Sequence, residues 1–168
     1  MEQAGLAGRV QILREDYRSM SGRFDKLASI EMIEAVGERF LDVYFRTLAE
    51  LLKPDGMMLL QAIVMPDQQY ERYRRSVDFI RRYAFPGSFL PSLGAIQSLV
   101  GRATDLRVEN IEDIRPHYAR TLRQWRERLG NNLDQARALG CSERFLRLWN
   151  YYLCYCEAGF EERYIGDV

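Results

Sequence analysis

Between residues 26 and 65 two apolar runs flank one amphipathic segment: "KLASIEMI" (26–33), "ERFLDVYFRTLAELL" (38–52) and "MMLLQAIVM" (57–65). In the middle segment Phe40, Val43, Tyr44, Thr47, Leu48, Leu51 and Leu52 recur at helical spacing, which predicts an amphipathic helix of about four turns. "KPDG" (53–56) should stop it, because Pro54 cannot continue a helix and Gly56 tolerates the positive φ of a turn. The outer runs lack polar alternation, which is how strands covered on both faces read. Strand, helix, tight turn, strand is the grammar of a parallel α/β sheet, and that is the expected fold class.

The flanking segments fit this frame. "RVQILR" (9–14) reads as a short strand with Val10 and Ile12 on one face, and "EDYRSMSGRFD" (15–25) as a loop. Residues 68–84 read as one helix, with Tyr70, Tyr73, Val77, Ile80 and Ala84 as its stripe and Arg74, Arg75, Arg81 and Arg82 on its flank. "YAFPGSFLPSL" (83–93) carries no charge, and Pro86 and Pro91 exclude a helix or a central strand through it. "LRVENIEDI" (106–114) is a further strand candidate. Tyr118, Leu122, Trp125 and Leu129 trace a helical face with Gly130 as its stop, and 143–163 repeats aromatic and apolar residues every three or four positions. A nucleotide-binding sheet opens on a strand followed by a glycine-rich turn. None of the twelve glycines makes such a turn, and "GLAG" (5–8) precedes the first strand instead of following it.

Composition narrows the function. With 168 residues, 47% of them apolar, the chain can bury one real core. Twenty-four basic side chains balance 24 acidic ones, so overall charge gives no preference for nucleic acid. One histidine, His117, and three cysteines without C-x-x-C spacing argue against a structural zinc, and no G-x-S-x-G elbow marks a serine nucleophile. The odd, clustered cysteines Cys141, Cys154 and Cys156 suit a reducing compartment, and no run approaches the ~20 apolar residues of a membrane span. A cytoplasmic protein is expected.

Five stretches in register, "SIEMIEAVG" (29–37), "LLKPDGMMLLQAI" (51–63), "FPGSFLPSL" (85–93), "IRPHYARTLRQWRERL" (114–129) and "ERFLRLWNYYLCYCEAGFEERYIGDV" (143–168), resemble the cyclopropane-fatty-acyl-phospholipid synthases and mycolic acid cyclopropane synthases. The resemblance covers essentially the whole chain. It implies a class I methyltransferase that uses S-adenosylmethionine, of which this chain looks like the C-terminal portion: a partial Rossmann-like α/β sheet without its cofactor-gripping strands. On that footing 1–65 is the remaining core, 66–104 the substrate-covering helices and loop, and 105–168 a strand and the C-terminal helices. The implied activity is transfer of a methylene group to the cis double bond of an unsaturated phospholipid acyl chain. Such an enzyme would work at the inner face of the membrane, and this chain alone would be inactive. Two other readings stay open: a related lipid C-methyltransferase with a methylated product, and a non-catalytic lipid-binding module, as a homodimer covering exposed sheet edges.

The resemblance also implies roles. A bicarbonate would take a proton from the intermediate cation, held by Glu34 through a shared proton and by the Tyr118 hydroxyl; by itself Glu34 reads as a carboxylate at a helix N-terminus. Where the family has a histidine this chain has Gln61, whose amide can donate but cannot titrate; Ala35 replaces another frequent histidine, and the family's cysteine has no counterpart. Asp16 and Tyr17 would meet the adenine, and the backbone of Ile30 the methyl-transfer centre. Phe85, Leu90, Pro91, Cys156 and Phe160 would line the acyl tunnel, with the rigidity of the 83–93 loop limiting the entropy lost on binding. The arginines of 68–82 would meet anionic headgroups or form an ordinary solvated face.

Overall fold

The computed structural model describes Gly5 and residues 8–168. A 3-10 turn (Tyr17–Ser19) leads into β1 (Phe24–Ile30), α1 (Ile33–Val36), a second 3-10 turn (Glu38–Phe40), α2 (Leu41–Glu50), β2 (Leu52–Gln61) and β3 (Ile63–Val64). Then come α3 (Asp67–Arg74), a π turn (Ile80–Ala84), α4 (Leu93–Ala103), α5 (Arg115–Asn131), α6 (Leu133–Ala138), α7 (Glu143–Glu161) and β4 (Gly166–Asp167). β1 and β2 run parallel with Ile30 opposite Gln61, and β3 and β4 run antiparallel with Ile63 opposite Asp167.

The β1–α2–β2 crossover is the one that the periodicity predicts. α2 buries Leu41, Tyr44, Phe45 and Leu48, while Phe40 and Val43 stay on its exposed side. Tyr44 Oη lies 2.6 Å from Ser29 Oγ in the buried seam between helix and strand. Its ring sits between Tyr17 and Phe45, with centroids 5.7 and 5.2 Å away. α2 ends at Glu50, before "KPDG", which lies inside β2 without the positive φ expected at Gly56: Phe24 faces Leu52 and Lys26 faces Met57, so 53–56 bulge out of the ladder. Gly56 is required there, since a Cβ would lie 2.9 Å from the Lys53 carbonyl oxygen.

Several expectations are corrected. Residues 9–14 form no strand, and Val10, Ile12 and Leu13 are exposed. Residues 106–114 are also irregular, anchored by the Ile114 N–H donating to the Asp167 carbonyl at 2.9 Å. Neither segment finds a neighbouring strand, and an unpaired strand leaves its backbone groups to water. The apolar runs are not covered on both faces, because the two-stranded sheet is packed by helices on one face. Met57 and Leu59 are exposed, and β1 buries only Ser29 fully. The helix expected over 68–84 breaks after Arg74: the Ser76 hydroxyl donates to the Tyr73 carbonyl, and Asp78 accepts the Arg81 N–H at 2.8 Å, starting a new turn. Gly130 lies inside α5 instead of stopping it.

The core has two parts. The first packs α2, α4, β3 and the 83–93 loop around Tyr44, Phe45, Phe89 and Ile96. The second packs α5 on α7 through Ala119, Leu122, Leu153 and Phe160, and Ile165 touches both. Glu157, buried on α7, accepts from Arg123 at 2.8 Å and Arg126 at 2.9 Å of α5, and Arg126 above all holds its carboxyl below the usual range. Glu157→Ala is expected to destabilise the fold by about 2 kcal/mol, and Glu161→Ala, exposed on the same helix, by under ~1 kcal/mol, read as urea midpoints.

Candidate active site

Where β1 ends, the chain turns at Glu31 with φ +48°, in the left-handed region that a side-chain-bearing residue enters at a cost on the order of 1 kcal/mol. The Glu31 N–H still donates to the Gln61 carbonyl at 3.0 Å, so the ladder with β2 continues through the turn. The Glu31 carboxylate accepts from the Tyr118 hydroxyl at 2.9 Å on one oxygen and from the Gln61 amide at 3.3 Å on the other. The same amide donates to Asp167 Oδ2 at 3.0 Å. Glu34, in the first turn of α1, accepts the Ile63 N–H on Oε1 at 2.6 Å. Its own carbonyl accepts the Phe89 N–H at 2.9 Å, tying α1 to the apolar loop.

Two carboxyls, Glu31 and Asp167, thus meet one tyrosine and one amide, and the charge of both is felt by Glu34. Burial pushes Glu34 above the ordinary carboxylate range, against the pull of the Ile63 N–H. Burial likewise pushes Asp167 up to about 6, against the pull of Gln61. Glu34 Oε2 and Asp167 Oδ1 are buried without a hydrogen-bond partner. A proton on either oxygen would spare the site a buried, unpaired charge. Burial and the bond to Glu31 raise the Tyr118 phenol as well, which keeps it a donor.

Residues 1–168 match the family described as mycolic acid cyclopropane synthetase. The chain belongs to this family. It is 44% identical over 162 residues to the tuberculostearic acid methyltransferase UfaA1 of Mycobacterium tuberculosis, covering 96% of this chain and 38% of that protein. It is 34% identical over 155 residues to the cyclopropane-fatty-acyl-phospholipid synthase of Escherichia coli K12, covering 92% of this chain and 38% of the relative. Its fold superposes on the mycolic acid cyclopropane synthase CmaA1 complexed with SAH and CTAB, with TM-score 0.84 and 30% identity, over 99% of this chain and 62% of that one. The architecture is therefore part of the class I methyltransferase fold, and the chain spans well under half the length of the two curated relatives.

Of the expected site residues, Gln61 of β2 and Tyr118 of α5 meet on Glu31, while Glu34 of α1 is held by the Ile63 N–H and feels Glu31 and Asp167 through their charge. Glu31 and Asp167 also belong to this cluster, and the sequence reading missed both. "SIEMIE" does place Glu31 three residues before Glu34, but its left-handed turn has no signature in composition. Ile30 sits opposite Gln61 with its backbone beside the cluster and its side chain half exposed. Asp16 caps the first 3-10 turn, and Arg18 grips its carboxylate at 2.9 and 2.6 Å, holding it down at about 2. The Tyr17 ring lies edge-on to Tyr44.

The expected tunnel residues divide. Phe85 packs on Tyr152, 5.7 Å between centroids, and Cys156 follows one turn along α7, where burial pushes its thiol up to about 12 and so keeps it neutral. Phe160 is fully buried, 4.9 Å from the Tyr118 ring. Leu90 and Pro91 fasten the loop: the Leu90 N–H donates to Tyr73 Oη at 3.1 Å, and the carbonyl of the buried Pro91 accepts the Met65 N–H at 2.9 Å. A hollow of about 560 Å³ is lined by Phe160, Pro116 and Ala119 together with Arg115, Arg120 and Arg123. It is open and rimmed by arginines, unlike a closed tunnel for an acyl chain.

The Asp167 carboxyl fixes the sign of one pH effect. Its folded value, raised above 3.8 to about 6, means that the fold prefers the protonated form; the stability it contributes is complete below about 4 and is lost as pH rises through about 6. Asp167→Asn is expected to unfold at higher urea than the parent at pH 7.5, with the gap closing towards pH 4.

Proposed function

We propose that the protein carrying this chain transfers a one-carbon unit from S-adenosylmethionine to the double bond of an unsaturated acyl lipid. The observation that carries the reading is the convergence of Gln61 and Tyr118 on Glu31 at the C-terminal end of β1, with Glu34 held by the nearby Ile63 N–H. Open α/β sheets bind their ligands outside the carboxyl ends of their strands. Methyl transfer to an alkene leaves positive charge on the second alkene carbon, which favours a dry surround with aromatic faces. Tyr118, Tyr152, Phe160 and Phe85 supply such faces.

The lipid is an unsaturated phospholipid acyl chain, with Phe85, Leu90, Pro91, Cys156 and Phe160 as the substrate side. The protein works from the cytoplasmic face of the membrane. Among the described residues no helix is long and apolar enough to cross a bilayer, and surface arginines of α3 and the π turn would meet headgroups. Arg74 is already paired with Glu38 and Glu71, Arg75 reaches Glu71 at 3.6 Å, and Arg81 and Arg82 lie over Tyr73 and Tyr83, so a headgroup would have to compete with these contacts everywhere but at Arg72. Asp16, Tyr17 and Ile30 form the adenine edge, where the cofactor amine would have to displace Arg18 from Asp16. The regions 1–65, 66–104 and 105–168 then serve as core, substrate cover and C-terminal wall. The chain alone, without a glycine-rich cofactor turn, is inactive.

A cyclopropane ring is the first product reading. A methyl-branched product is the second, favoured by Gln61 in place of histidine and by the 44% identity to a protein named as a methyltransferase. The bicarbonate that the resemblance implies meets donors already in use, since Tyr118 and Gln61 both donate to Glu31. The residues present do not fit a free anion at those donors, and no step is routed through one.

Expression of the whole gene followed by mass spectrometry of membrane lipids tests the reading. A gain of one CH2 without a double bond identifies the ring, and the same gain with unsaturation kept identifies a branch. No such lipid would overturn the proposal. Glu34→Gln is expected to lower turnover ~100-fold; unchanged kinetics would remove Glu34 from the site.

A further inference from the structure

We propose that Glu31 is the site's own anion: its carboxylate, in place of a bound inorganic ion, faces the developing positive charge and takes the proton released in the reaction. This inference rests on the one-carbon transfer proposed above and goes beyond it by assigning the base.

Three observations point to Glu31. Tyr118 and Gln61, from elements far apart in the chain, each direct a donor at a different Glu31 oxygen, at 2.9 and 3.3 Å, as two donors hold a planar oxyanion. The backbone at Glu31 is at φ +48°, where glycine would sit without strain. A strained residue persists where its surroundings hold it, and such residues cluster at active sites. Here the side chain makes two holding bonds, and the Glu31 N–H makes a third to the Gln61 carbonyl. Finally, Glu34 and Asp167 each keep an oxygen without a hydrogen-bond partner, whereas both Glu31 oxygens act as acceptors. Of the three carboxyls, Glu31 is the one arranged as an acceptor of positive charge.

The step balances without a further reagent. The alkene π pair forms a bond to the methyl carbon as the carbon–sulfur pair leaves with sulfur, and the second alkene carbon becomes cationic. A C–H pair then moves into the carbon skeleton, and its proton passes to a Glu31 oxygen, giving a neutral carboxylic acid that returns the proton to solvent. Loss from the transferred methyl closes a ring, and loss after the charge has moved along the chain leaves a double bond. A base fixed to the protein reaches fewer C–H bonds than a free ion does, so the placement of Glu31 also bears on which product forms.

The test uses the whole enzyme on vesicles of mono-unsaturated phosphatidylglycerol, with S-adenosylmethionine, in CO2-free buffer. The wild type is expected to turn over with no dependence on added bicarbonate. Glu31→Gly removes the carboxylate and suits the backbone; it is expected to fold, to lose ~100-fold in turnover, and to regain about tenfold or more with bicarbonate or formate. Glu31→Gln is expected to be as slow and not to be rescued, because its amide still fills the space but takes no proton. A wild type that requires bicarbonate, or a Glu31→Gly enzyme as fast as the parent without added anion, would overturn the proposal. A readout independent of turnover is line broadening of ¹³C-bicarbonate. Binding by Glu31→Gly alone supports the assignment, and binding by the wild type or by neither protein overturns it. If the wild type methylates no lipid at all, the proposed function fails, and the bicarbonate titration still decides whether Glu31 fills the anion position.

Discussion

The site exists because β1 and β2 pair in parallel with Ile30 opposite Gln61. That register points the Gln61 amide at both Glu31 and Asp167. A slip of one residue would turn Gln61 to the other face of the sheet and separate the three groups. The bond between Tyr44 and Ser29 pins α2 across β1 and so resists the slip, and the "KPDG" bulge absorbs the extra residues of β2 before they reach the site. A buried packing contact and a surface bulge therefore protect a polar alignment near the other end of the strand.

The polar cluster works because its members divide labour. Three carboxyls brought together repel one another if all are ionised. Burial lifts the proton affinities of Glu34 and Asp167, while Tyr118 and Gln61 supply donors to the third. A half-satisfied network in a poorly hydrated place is expensive, and the partnerless oxygens of Glu34 and Asp167 mark where protons matter most. Two aromatic pairs accompany the cluster, Tyr118 on the buried Phe160 and Tyr152 on the exposed Phe85.

The fold and the site were legible to different degrees. Helical periodicity located α2, α5 and α7, since one apolar stripe fixes both the period and the buried face. The strands over 9–14 and 106–114 failed for one reason: pairing is a property of a neighbour that local sequence does not contain. Uninterrupted apolar runs predict two-sided burial, but Met57 and Leu59 are exposed in this chain. Glu34, Gln61 and Tyr118 stand as candidates through their stretches' likeness to a family, and their spacing alone does not group them. Glu31 and Asp167 escaped because a left-handed turn and a late edge strand bring them in, and neither writes a pattern into nearby residues.

The bond from the Phe89 amide to the carbonyl of Glu34 couples parts usually treated apart. The main chain of one residue fastens the greasy loop, while its side chain sits among the acids. Any shift of the loop would tug the peptide bearing Glu34 and strain the grip of its carboxyl on Ile63. Movement of an apolar surface segment would thus reach the acids through a single peptide unit.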